Sequence, residues 1–426
     1  MLILVLAAAV GFSLHLPGIA LASLGGIALQ PVLILSAMYV AIAVIGQRRI
    51  PLGIVGWIMI NVAALAICTV MAVDAGHPMN YLAIHIAYLL VFALAFGMIL
   101  TDPLHRHLFL HAYIAGALVG SAVALAQFAS STFLGIKFLV TNNENFFLIA
   151  PPGRGVGFTP EASILATLLL PAFVILYAEI REKRSFLNRR FRTLPVLGFL
   201  GAGLLATKSS SIMLLPVIIL AYEIVISRSI LVFIGRNLKN AIIFGLLALA
   251  FIPLYQTRLA TDDAQYSSLY RLEKMEVGLR IYQDYPVAGA GLGRVSDTIF
   301  FERYLDPTVD WDWLGEHAWK GVDSWVIRTM AETGTLGLLA LYLPLLIFFP
   351  SYWRLSKYPE FRPLLVMTLS FVFCQALVSG YRDLPFFYLP MTIATLAGTG
   401  ALTPSLVPRR RAEPPVRGTS ERLTHA

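Results

Sequence analysis

Ionisable residues are scarce in this chain, and three groups of them fall at the margins of long apolar runs. In GEHAWKGVDSWVIRTMAETGTLGLL, Asp323, Arg328 and Glu332 are spaced five and four apart. A helix puts Arg328 and Glu332 on one face, with Asp323 nearer its mouth. Charge inside an apolar helix is costly and faces a cavity or another charge. A carboxylate so placed is a candidate general base, whereas an Arg328–Glu332 pair by itself would only fix packing. In IAPPGRGVGFTPEASILATLLLP, Arg154 and Glu161 flank a Gly-rich turn, and Pro160 suits the first turn of a helix. A plain turn is the alternative. In SSLYRLEKMEVGLRIYQDYP, Leu269, Leu272, Met275 or Glu276, Leu279 and Tyr282 recur at helical spacing, and Arg271, Lys274 and Arg280 take the other face. That pattern predicts an amphipathic helix on a membrane surface, either a simple interfacial anchor or a basic wall toward an anionic lipid. Lys208 in TKSSS, and Glu316 and His317 upstream of Asp323, complete the candidates.

The elements that must position these groups are apolar. Hydrophobic residues make up 58% of the 426 and charged ones 13%, too few to clothe a soluble globule. Apolar runs of roughly 17 to 25 residues match a hydrocarbon layer of about 30 Å crossed as a helix. The predicted fold is all-α: a polytopic transmembrane bundle with spans near 2–14, 28–46, 51–73, 80–101, 108–131, 161–180, 194–206, 208–226, 241–255, 325–349, 363–380 and 385–404, about twelve in all. MLILVLAAAVGF lacks a preceding basic residue and is expected to be a retained first span.

Orientation follows from Lys and Arg, which cytoplasmic loops retain. Arg48, Arg49, Arg106, the 181–192 loop, Arg228 to Lys239, Arg354 to Arg362 and the tail with Arg409, Arg410 and Arg411 fall on one alternating side, expected to be cytoplasmic. The excursions at 132–160 and 256–322 then face outward. Residues 1–405 form one transmembrane domain and 406–426 a basic, disordered cytoplasmic tail. The net charge of +8 is an orientation signal, and no nucleic-acid partner is expected. Cys68 and Cys374 are expected to be packing residues, since no other metal-ligand type gathers near either. Gly289, Gly291 and Gly293 follow a predicted helix rather than a strand, so a nucleotide loop is discounted. Asp310, Trp311 and Asp312 spell a DxD in an outward loop, away from cytoplasmic sugar nucleotides, so no metal is expected there.

In four places the chain resembles the superfamily of O-antigen ligases and polysaccharide polymerases. Asp323, Ser324, nine residues, then Gly334, Thr335, Leu336 and Gly337 fit the family's signature in its large periplasmic loop and following helix, except that the family has His first. Arg154, Gly157, Phe158, Pro160 and Glu161 resemble its first-loop motif. RLEKMEVGLRIYQDYPVAGAGLG from Arg271 is similar to its second Arg followed by a Pro-x-x-Gly-x-Gly-x-Gly turn, and TKSSS resembles its Thr-x-Ser-Arg hairpin without the Arg.

The resemblance implies a multi-pass protein of the bacterial inner membrane whose active site faces the periplasm. It implies a glycosyltransferase moving glycan repeats from undecaprenyl pyrophosphate, and the acid at Asp323 looks more like the polymerase branch than the ligases. The activity expected is metal-independent and inverting, with no cofactor. Arg154, Arg271, Arg280 and Lys208 would bind pyrophosphate. Asp323 would be the base, Glu161 second, and Glu316, His317, Arg328 and Glu332 secondary candidates. Expected partners are the lipid-linked glycan, membrane lipids, a chain-length regulator and a flippase. A ligase acting on another acceptor, or a transporter of lipid-linked glycan, are the rival readings.

Overall fold

In a computed structural model, the described residues are 1–24, 27–72, 78–136, 153–182, 190–227, 262–306, 322, 324–377 and 385–402. Long apolar runs become helices because a chain without water nearby must satisfy its backbone groups internally. The helices are α1 (Leu2–Ser13), α2 (Pro31–Ile45), α3 (Leu52–Val70), α4 (Pro78–Thr101), α5 (Pro103–Phe133), α6 (Ala162–Arg181), α7 (Arg190–Thr207) and α8 (Leu214–Ser227). Then come α9 (Asp262–Asp284), the short α10 (Thr298–Glu302), α11 (Trp325–Leu355), α12 (Arg362–Leu377) and α13 (Leu389–Gly398). Among the described residues, the architecture is helical as expected, with one short antiparallel ladder, β1 (Ala22–Leu24) with β2 (Ile27–Leu29), beside the helices.

Helices lie in every predicted span except 241–255, which falls outside the described residues. Five of them, α3, α4, α5, α6 and α11, are long and apolar enough to cross a membrane. The expectation of about twelve spans meets shorter helices elsewhere: α1 has 12 residues, α2 has 15 and α13 has 10. At 1.5 Å per residue such lengths fall short of a hydrocarbon layer of about 30 Å.

Packing is helix on helix. α1 lies along α5 and α2 along α4, α7 sits between α5 and α6, and α11 contacts α3, α9, α12 and α13. Close approach uses small residues: a Cβ at Gly11 would stand 2.3 Å from the Phe109 carbonyl oxygen of α5. Asp102 starts α5 by accepting from the backbone N–H groups of Leu104 and His105, with Pro103 in the first turn.

The two ends of the bundle differ chemically. At one end Arg48 pairs with Asp102 at 2.8 Å, the Arg106 guanidinium lies 4.7 Å over Phe361, Arg362 pairs with Glu182, and Arg181 lies 3.4 Å from Glu223. These contacts chain together the ends of α2, α5, α6, α8 and α12, so basic groups predicted to share one side do share one end. Gln127 lies at the other end of α5, about 37 Å along the helix from Asp102.

Candidate active site

The segment Pro286–Gly293 docks against a break in α11. At Gly334 the backbone leaves helical geometry, with φ 61° and ψ −162°, so nearby amides lose their intrahelical carbonyls. The turn replaces them. Thr335 N donates to Pro286 O at 2.8 Å and Leu336 N to Val287 O at 3.0 Å, while Ala290 N donates to Ala331 O at 2.9 Å and Gly291 N to Glu332 O at 3.1 Å. Tyr282 adds a hydroxyl contact to Thr335 at 2.8 Å. A Cβ at Gly289 would stand 2.3 Å from the Glu332 carbonyl carbon, and one at Gly334 would stand 2.4 Å from that of Val287. Gly289 therefore permits backbone-to-backbone docking, while Gly291 and Gly293 let the turn pass close to Ala72 and the Tyr81 ring.

α9 is not a helix lying alone on a surface. Val277 and Ile281 are buried against Val322, Ala331 and the aromatic rings of α10, forming a small core separate from the main one. Leu272 and Leu279, from the predicted apolar stripe, are exposed. The helix thus has a second, packed apolar face that the stripe did not reveal, while the side chain of Leu269 lies outside the described residues. Asp297 caps α10. Burial alone would raise its pKa, but the Phe300 amide and the Arg294 guanidinium hold the carboxyl below its ordinary range.

Arg328 and Glu332 are both buried and paired on one helix face, Nε to Oε1 at 3.3 Å, as their spacing predicts. Arg328 also donates to Ser296 Oγ, tying the docked loop to α11. The pair lines a cavity of about 40 Å³ together with Asn61, His85, Trp325 and Tyr388.

Arg154 and Glu161 belong to a second arrangement. Gln127 organises it: its Oε1 accepts from Val156 N at 2.9 Å and Gly157 N at 2.8 Å, and its amide donates to Gly157 O. Gly155 N donates to Ala206 O of α7 at 2.9 Å. The Arg154 guanidinium donates to the carbonyls of Thr207 and Lys208, the latter at 2.8 Å, so Arg154 and Lys208 are brought together. Lys208 is exposed, and its ammonium lies 5.2 Å over Phe128. Glu161 precedes α6 and accepts from Ser163 Oγ at 2.8 Å.

Arg280 meets carboxylates rather than open space. Its guanidinium lies 2.8 Å from Glu276, 3.5 Å from Glu273 and 3.9 Å from Asp306, and donates to Tyr304 O. These neighbours raise its pKa, the Glu276 hydrogen bond foremost. Arg271 sits nine residues earlier on α9, half-buried. Asp323, Glu316, His317 and the DxD at Asp310 to Asp312 lie outside the described residues. Ser324 caps α11, its Oγ accepting from Ile327 N and donating to Ala376 O at 2.8 Å. Gln127, Ser296, Asn61 and Trp325 escaped the sequence reading. Asn61 and Gln127 carry a readable signal, an amide inside an apolar run, whereas Ser296 and Trp325 carry none.

Helices long enough to span a bilayer, a broken helix and a buried ion pair held by a docked glycine turn define an integral membrane protein with a polar centre. Residues 195–342 match the family model described as O-antigen ligase, Wzy_C. Over that stretch, which includes α9, the docked turn and the break in α11, the resemblance to the O-antigen ligase and polysaccharide polymerase superfamily is shown. No curated protein matches the chain.

Proposed function

We propose that the protein is a membrane glycosyltransferase that polymerises glycan. It moves repeat units from undecaprenyl pyrophosphate onto another lipid-linked unit at the periplasmic face of a bacterial inner membrane, within a bundle of about twelve spans. One observation carries the reading: the family match covers the same residues that build the docked turn and the broken helix. The basic end of the bundle, with Arg48, Arg106, Arg181 and Arg362, supports a cytoplasmic assignment for that end. The turn of Arg154 and Lys208 is then periplasmic.

In this reading the Asp323 carboxylate takes the proton of an acceptor hydroxyl as its oxygen attacks the anomeric carbon of the donor sugar. The bond from that carbon to the pyrophosphate oxygen breaks, and undecaprenyl pyrophosphate leaves with inversion at carbon. Arg154 and Arg271 bind the phosphate oxygens, with Lys208 adding charge beside Arg154. Glu161 is the second candidate for the base. Arg280, already among carboxylates, serves to hold α9. A ligase is the second reading, favoured by the description of the matching family.

Purified protein in lipid, given its host's undecaprenyl pyrophosphate-linked repeat, is expected to yield a ladder of lipid-linked multimers on a gel. Transfer only to a different acceptor would establish the ligase reading, and an unaltered substrate with folded protein would remove the polymerase reading.

A further inference from the structure

Trp325 opens α11 two residues after Asp323. Its ring is 4% exposed and stacks on Phe387 with centroids 4.3 Å apart and planes 8° from parallel. Its Nε1–H is buried and has no hydrogen-bond partner among the described residues. A buried donor is rarely left without an acceptor, and this one lines the cavity beside Arg328 and Glu332. The cavity, about 40 Å³, is larger than a single water needs.

Its lining narrows the occupant. Arg328 and Glu332 neutralise one another, which favours neither an anion nor a cation. The Thr329 and Thr333 hydroxyls donate to backbone carbonyls, and the Asn61 amide nitrogen donates to the carbonyls of Trp57 and Ala340, so these three side chains offer acceptors. The Trp325 N–H, with the Tyr388 hydroxyl and the His85 imidazole also in the lining, faces these acceptors, and such a mixed set of donors and acceptors suits an alcohol, which both accepts and donates. Leu65 and Leu89 supply an apolar wall, as the carbon face of a sugar requires.

We infer that this cavity is a subsite for a hydroxyl-bearing edge of the substrate glycan, with Trp325 Nε1 donating to a sugar oxygen. The inference rests on the glycosyltransferase reading above, yet its test is a binding measurement.

The full chain in nanodiscs, labelled with nitrogen-15 at its six tryptophan indoles, is titrated with the lipid-free repeat oligosaccharide and separately with undecaprenyl phosphate. Trp325→Phe keeps the stacking ring and identifies the Trp325 resonance by its loss. The expected result is a saturable shift of that resonance with oligosaccharide and none with undecaprenyl phosphate. Trp325→Phe should weaken oligosaccharide binding by about three- to tenfold, the loss of one neutral hydrogen bond, with its other indole resonances and melting temperature unchanged. A shift with undecaprenyl phosphate alone, no shift with either, or Trp325→Phe binding as tightly as the parent overturns the subsite. Oligosaccharide binding without any ladder would keep the subsite and discard the polymerase, whereas a ladder without the shift would do the reverse.

Discussion

Arg271 and Arg280 lie on the same helix and look alike in sequence, but a guanidinium facing Glu273, Glu276 and Asp306 has little charge left for a phosphate. In the proposed reaction Arg280 is therefore assigned to holding α9 rather than to the pyrophosphate. Arg271→Ala should abolish long polymer, with protein levels in the membrane unchanged; a normal ladder would remove Arg271 from the site. Asp323→Asn should lose turnover while retaining binding of the lipid-linked donor, and polymerisation that survives would move the base to Glu161. The Arg328–Glu332 pair was legible because four-residue spacing always shares a helix face. Glu276, four residues before Arg280, is legible by the same rule, whereas Asp306 reaches Arg280 only through the fold of the loop.

At the scale of elements, the docked turn and the broken helix depend on each other. Four backbone hydrogen bonds cross between them, at places where a side chain at Gly289 or Gly334 would meet backbone atoms at 2.3 or 2.4 Å. Backbone cannot yield as a flexible side chain can, and both glycines hold positive φ, 72° and 61°. Gly289→Ala should therefore undock the turn, with a loss of about 2–4 kcal/mol of local stability. The measurement is faster hydrogen exchange at residues 286–293 and at Thr335 and Leu336; unchanged protection there would mean the docking tolerates a methyl group. The spacing of the glycines was visible in the sequence, and so was their position after a helix. Their partner was not, because the turn meets residues more than forty positions later in the chain.

For the whole molecule, the separation of basic groups at one end from the Arg154 and Lys208 turn at the other predicts sidedness. Cys68 and Cys374 are buried, so a single added cysteine reports alone. Arg49→Cys should react with an impermeant maleimide only from the cytoplasmic side of oriented vesicles, and Lys208→Cys only from the opposite side; labelling of both from one side would overturn the topology. Apolar run length and the alternation of Lys and Arg determined the helical class, most element positions and the grouping of charges, because each is a local property of the chain in its solvent. Tertiary structure alone decided that α9 packs through Val277 and Ile281, that Gln127 gathers the Arg154 turn, and that Trp325 carries an unpartnered donor into a cavity. Those outcomes depend on contacts between residues distant in sequence, whose pairing no local period encodes.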